Sequence, residues 1–138
     1  MKKRIMVDMS ATLIHHGHIR LLKKASEYGS VIVGLTTDDE ITSKKKYQPE
    51  LAFEYRKELL ESIKYVSEVV PTPWLLDEKI LDQYQIDLLV HGNDNCNLIN
   101  KERLKILPRT QGVSSEEIRK SGQRAITQIN NQKLMLTP

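Results

Sequence analysis

His15, His16 and His18 fall within four residues around Gly17, a short loop after the apolar run Arg4-Ile5-Met6-Val7 and just ahead of a helical pattern. An imidazole donates hydrogen bonds near neutral pH or carries a positive charge. A glycine lets the backbone come close to a ligand. A helix start adds N–H groups without intrahelical partners and the positive end of the dipole. Together these features predict a pocket for an anion, phosphate fitting best, with His15, Gly17 and His18 as its parts. A metal site is the competing reading, but metal-binding histidines more often come as an i, i+4 pair or with a distant partner. No metal ligand from the protein is expected, and His16 is given no role.

The elements that must position this pocket alternate between strand and helix. Residues 4–8 read as a first strand, and Ile19, Leu22 and Ala25 follow at helical spacing with Gly29 as a stop. Val31-Ile32-Val33-Gly34-Leu35 is a continuous apolar run, the pattern of a strand buried on both faces. Tyr55, Leu59 and Ile63 mark the next helix, and Glu68-Val69-Val70 a short strand closed by Pro71 and Pro73. Ile80, Leu81 and Tyr84 predict a helix, residues 87–91 a fourth strand, residues 104–107 a fifth, and a last helix starts near Ser114. The order predicts an α/β fold, Rossmann-like and doubly wound, with a five-stranded, mainly parallel sheet and helices on both faces. Ligands in such folds bind beyond the carboxyl ends of the strands. Three polar segments follow predicted strands there, at residues 9–18, 91–94 and 109–115, so the fold gathers them into one pocket.

A chain of 138 residues is expected to form one domain, here residues 1–125, followed by a polar tail over 126–138 that reads as frayed helix or disordered. The lone Cys96 excludes an internal disulfide and, with no leader pattern, points to the cytoplasm. No apolar stretch is long enough to span a membrane. A net charge of +3 with 5% aromatic residues argues against nucleic-acid binding, and Lys44-Lys45-Lys46 taken alone reads as a solvated loop. Cys96 has no histidine–acid pattern around it and is not expected to be a nucleophile. Trp74 reads as packing.

His15-His16-Gly17-His18 matches the HxGH motif of the nucleotidyltransferase superfamily. Arg109-Thr110-Gln111-Gly112-Val113-Ser114-Ser115 resembles the RTxGIST-type motif of its cytidylyltransferase branch, and Lys64-Tyr65-Val66-Ser67-Glu68-Val69-Val70 the family's RYVDEVV segment. The resemblance runs from about Arg4 to about Arg119 and extends to glycerol-3-phosphate, choline-phosphate, ethanolamine-phosphate and phosphonate-linked cytidylyltransferases. It implies transfer of CMP from CTP, with Mg²⁺, to a small phosphorylated or phosphonylated alcohol, with release of pyrophosphate. It also implies a homodimer.

The same resemblance implies roles. His15 and His18 stabilise charge on the α-phosphoryl oxygens, and Arg109 adds a fixed charge whose donor fork suits phosphate. Lys46, alone or with Lys44, matches the catalytic-lysine region and closes over the triphosphate. Ser114-Ser115-Glu116-Glu117 fits a capping box with Ser114 as cap, and that helix end holds the β- and γ-phosphates with Thr110, Val113 and Ser115. Gly112 turns the backbone over the nucleotide. Met9 and Ser10 belong to the nucleotide loop, and His91, Gly92 and Asp94 border the cytosine and ribose. Arg56, Lys64 and Thr12 are expected to meet the second substrate.

The chain departs from the family pattern in places. Met9-Ser10-Ala11-Thr12 stands where GTFD is usual, so Thr12 replaces an acidic residue and supplies no charge. Lys64 replaces an arginine, Ser67 an aspartate and Asn93 a common acidic position. These departures keep two alternatives open: a CTP-binding module without efficient catalysis, and an adenylyltransferase that uses ATP.

Overall fold

The apolar runs of the sequence become the middle of a parallel sheet. The computed structural model describes residues 2–92 and 96–136. Asn93 and Asp94, and with them the expected ribose contact of Asp94, lie outside the described residues. The elements run β1 (Arg4–Met9), α1 (His16–Ser26), β2 (Ser30–Thr36), α2 (Asp38–Lys45), α3 (Phe53–Glu61), β3 (Glu68–Thr72), α4 (Glu78–Gln83), β4 (Leu88–His91), a 3-10 turn (Lys101–Arg103), β5 (Leu104–Ile106) and α5 (Ser115–Leu136).

The strand order is β3-β2-β1-β4-β5, and every pairing is parallel. Side chains alternate between the two faces of each strand. Ile5, Val7, Val31, Val33, Leu35 and Val69 face Leu22 and Ala25 of α1 and Leu60 of α3. Met6, Ile32, Val70 and Leu89 face Leu76, Leu81 of α4 and Ile86. Helices therefore cover both faces, and the doubly wound fold expected from the sequence is the fold observed. The chain reverses direction across the sheet between β1 and β4, which opens a crevice at their carboxyl ends.

Several elements differ from the sequence reading, each for a local reason. Helix α2 replaces the expected lysine loop. It buries only Ile41, so it carries no apolar stripe; Asp38, Asp39 and Glu40 at its start and Lys44 and Lys45 at its end complement the dipole instead. Helix α3 buries Arg56 and Leu60, while Tyr55 and Leu59 of the predicted face are exposed. Pro71 lies inside β3 and does not close it. The strand sits at a sheet edge, where a missing N–H is tolerated.

Gly29 sits where a Cβ would lie 2.2 Å from the Lys3 carbonyl oxygen, so close approach of the chain requires glycine there. Helix α5 continues through the segment in which the sequence showed no clear period, and its side chains from residue 120 to 134 are exposed. Among the described residues no helix is long and apolar enough to cross a membrane.

Candidate active site

An open cleft of about 1210 Å³ lies at the carboxyl ends of the strands. Residues 8–12, His15, Gly17 and His18 form one wall, His91, Gly92 and Asn97 another, and residues 108–111 and 113–116 a third. The described residues of the three polar segments thus converge as expected.

Both motif histidines cap α1. His15 is the N-cap; its Nδ1 accepts the Gly17 N–H at 3.1 Å, and His18 Nδ1 accepts the His15 N–H at 3.1 Å. With both Nδ1 atoms accepting, this hydrogen-bond pattern assigns the proton of each neutral ring to Nε2, which is then a donor. The rings lie 4.0 Å apart between centroids. A Cβ on Gly17 would meet His15 Cε1 at 2.8 Å, so the glycine makes room for the His15 ring.

Burial pushes the His18 pKa down from 6.5 to about 3, with further lowering from His15 and Arg109. Burial, His16 and Arg109 lower His15 in the same direction. The pair are therefore neutral hydrogen-bond donors near neutral pH, and Arg109 beside them supplies fixed positive charge.

The start of α5 forms one end of the cleft. Ser114 Oγ accepts the Glu117 N–H at 3.0 Å, which makes Ser114 the cap, and its own O–H remains a donor. Ser115 is occupied differently: its hydroxyl donates to the Leu13 carbonyl at 2.8 Å and accepts the Leu13 N–H at 3.2 Å. That clasp ties α5 to the loop between β1 and α1. Gly112 takes φ +78°, a left-handed turn that favours glycine. It does not line the cleft. Ala11, at φ 47°, is a left-handed alanine buried in the loop that carries Ser10 and Thr12.

Arg56 is fully buried. Its Nε donates to the Leu51 carbonyl, Nη1 to the Ser10 and Thr36 carbonyls, and Nη2 to Asp38 at 2.6 Å. The expected substrate contact is thereby replaced: Arg56 anchors the loop after β1 through the Ser10 carbonyl. Lys64 is also displaced from its expected role. It precedes β3, at the sheet's amino end, away from the carboxyl-end rim, and lies 5.2 Å from the Tyr65 ring.

In the lysine run, Lys46 is the exposed left-handed C-cap of α2, and it is Lys45 that lines the cleft, 5.5 Å from the Trp74 ring. Trp74 lines the cleft too.

Thr12 is buried and accepts a hydrogen bond from Arg119 Nη2 at 3.2 Å. Arg119 also makes a two-pronged pair with Glu50 at 2.9 and 2.7 Å and stacks 4.6 Å from the Tyr47 ring. The Glu50 hydrogen bond is the main cause that raises the Arg119 pKa. Arg119 thus links Thr12 to Glu50.

Sequence reasoning missed one cluster. His91 Nδ1 lies 2.5 Å from Asp8 Oδ1, and Asp8 Oδ2 accepts from Asn97 Nδ2 at 3.2 Å. The signal was a polar residue near the end of each of two neighbouring strands, Asp8 on β1 and His91 on β4. Among the described residues no group of three or more His, Cys, Asp or Glu side chains is placed to hold a metal ion.

Comparison with known proteins identifies the family. The family profile described as Cytidylyltransferase-like matches residues 10–121. Glycerol-3-phosphate cytidylyltransferase of Bacillus subtilis (strain 168) is 32% identical over 122 residues, covering 85% of this chain and 95% of that protein. Ethanolamine-phosphate cytidylyltransferase of Arabidopsis thaliana is 33% identical over 131 residues, covering 83% of this chain but 31% of that longer protein. FAD synthase of Thermococcus kodakarensis is 35% identical over 120 residues, covering 86% and 79%. In fold, the chain resembles the lipopolysaccharide core biosynthesis protein from Thermoplasma volcanium GSS1, with a TM-score of 0.64, 18% identity and coverage of 80% and 98%. A profile match over most of the chain, and a relative 32% identical along 95% of its own length, establish that the chain belongs to the cytidylyltransferase-like family of nucleotidyltransferase enzymes.

Proposed function

We propose that the protein transfers CMP from Mg·CTP to a small phosphorylated or phosphonylated alcohol and releases pyrophosphate. The observation that carries this reading is the convergence of His15, His18, Arg109 and the N-terminus of α5 on one cleft. Neutral Nε2–H donors, a guanidinium and helix N–H groups are the set that a triphosphate tail demands. An acceptor oxygen attacks the α-phosphorus, and charge on the α-phosphoryl oxygens is met by His15 and His18. The β- and γ-phosphates settle against the first turn of α5 and Ser114. Positioning and electrostatics supply most of the catalysis in phosphoryl-type transfer. Lys45, on the wall that also holds Trp74, is placed to attract the anionic acceptor.

The test is incubation with CTP and a panel of phosphomonoesters and phosphonates, read by pyrophosphate release and by mass spectrometry of CDP-linked products. Absence of product with every acceptor, from protein that binds CTP, rejects the reading and favours a binding module. A second reading, adenylyl transfer from ATP, is favoured by the similarity to FAD synthase. Melting with CTP and ATP side by side separates them, because a ligand stabilises the state that binds it.

A further inference from the structure

The segment between α2 and α3, residues 46–52, has no regular secondary structure. Two residues beside or within it line the cleft. Lys45 ends α2, with its Nζ 5.5 Å from the Trp74 ring, and Tyr47 follows two positions later. Both ends of the segment are anchored locally. The Lys46 N–H donates to the Thr42 carbonyl at 2.9 Å and closes α2. At the other end the Leu51 carbonyl accepts from Arg56 at 3.0 Å, and the Phe53 N–H donates to Asp38 at 3.1 Å.

Between these anchors the tie comes from a distant helix. Arg119 of α5 grips Glu50 with two prongs, Nε at 2.9 Å and Nη2 at 2.7 Å, and its guanidinium lies 4.6 Å from the Tyr47 ring. Nη2 also donates to Thr12 at 3.2 Å. A forked pair fixes orientation as well as distance. The Arg119 side chain is 32% exposed and that of Glu50 37%, a setting in which an ion pair adds little to global stability. The consequence of this contact is therefore the place it gives to the segment rather than the survival of the fold.

Helix α5 is itself fixed. Ser115 is clasped to Leu13, and Arg119 lies four residues on, on the same face of the helix. One helix thus holds the loop before α1 at its first residue and the α2–α3 segment one turn later.

Resting on the cytidylyl-transfer reading, we infer that Arg119 is a positioning residue for the acceptor: through Glu50 and Tyr47 it holds residues 46–52 as a strap, which keeps Tyr47 and Lys45 on the acceptor side of the cleft. The Nε and Nη2 donors are committed to Glu50 and Thr12, and the Glu50 carboxylate offsets the guanidinium charge. Arg119 acts through the strap and not on a phosphate. An ordered strap offers a small anionic acceptor the Lys45 ammonium and the rigid Tyr47 ring with its polar tip. An acceptor that meets a loose strap loses ground-state contacts. The donors at the α-phosphorus, His15, His18 and Arg109, are on other walls and are untouched. Loosening the strap therefore raises acceptor KM and leaves kcat in place.

The experiment compares the parent, Glu50→Gln, Arg119→Met and the double variant. It measures amide hydrogen exchange over residues 46–52, CTP affinity by calorimetry, and acceptor KM and kcat at saturating Mg·CTP. Each single variant is expected to speed exchange in the strap and to raise acceptor KM about tenfold, with kcat and CTP affinity within about twofold of the parent. The double variant matches the single ones, because either change releases the same contact. Glu50 does not line the cleft, so Glu50→Gln carries the test if Arg119→Met does not fold. Strap exchange equal to the parent's overturns the inference whatever the activity, and so does faster exchange with an unchanged acceptor KM. A KM rise confined to Arg119→Met, or CTP affinity that falls in step with it, assigns Arg119 a direct ligand contact and also overturns it. A parent protein that binds CTP yet forms no CDP product fails the underlying reading, and this inference with it.

Discussion

The Ser115 hydroxyl holds both backbone groups of Leu13, donating to its carbonyl at 2.8 Å and accepting its N–H at 3.2 Å. The residues are 102 positions apart, and the clasp joins the amino end of α5 to the loop that leads into His15. A hydroxyl expected to touch nucleotide is thus engaged by the Leu13 main chain and fixes the distance between α5 and the loop before α1.

Ser115→Ala is expected to lower unfolding free energy by about 2 kcal/mol, since it strands both Leu13 groups in a partly buried loop. CTP affinity should fall about tenfold as the two walls uncouple. Ser115→Thr keeps the hydroxyl and should restore both. Urea unfolding and titration calorimetry on the two variants check the contrast.

Acid should destabilise the protein through His18. Its pKa is lowered from 6.5 to about 3 by burial and by its cationic neighbours, so over that interval the unfolded chain binds the extra proton. Stability is therefore greatest above 6.5 and falls as pH drops toward 3, with His15 contributing in the same sense. His18→Gln should flatten this slope in urea unfolding measured across the interval. A slope equal to the parent's would contradict the assignment.

Arg56→Met should behave as a folding lesion. It removes a buried guanidinium from three backbone carbonyls and from Asp38. The expected loss is about 3 kcal/mol or more, read from denaturant midpoints. At a temperature where the variant stays folded, its acceptor KM should remain near the parent's; a selective rise in acceptor KM would return Arg56 to the substrate.

Thr12→Asp places a carboxylate where Thr12 Oγ1 now accepts from Arg119 at 3.2 Å. Relative to Thr12→Asn, it should gain about 2 kcal/mol from the charged hydrogen bond. Salt should weaken that gain. Paired melts at low and high ionic strength make the comparison. If charge at this position is also what turnover lacks, the aspartate variant will be the faster enzyme.

The strands and the rim were legible because β1, β2 and β4 are apolar runs followed by polar loops, and topology alone then brings residues 9–18, 91–92 and 109–115 together. The helices were less legible. Helix α2 is held by charge at its ends and by a single buried Ile41, so hydrophobic period cannot find it; its acidic start and basic end are the signal. In α3 the buried stripe includes Arg56, which a hydrophobic count reads as surface. Lys45, not its neighbours, reaches the cleft because helix phase, invisible in a run of three lysines, decides which one points there. Asp8 and His91 are 83 residues apart, and only the β1–β4 pairing makes them partners.

Pro71 in β3 has a consequence beyond its own strand. An open parallel sheet has two outer rims, each a template on which another chain's backbone can polymerise. One rim here is interrupted by an imino acid that offers no amide hydrogen, and the other is the three-residue β5, with Lys105 exposed at its centre. Intermolecular zippering is discouraged on both flanks, which lets the sheet keep its carboxyl-end mouth open to small molecules without recruiting neighbours along its sides.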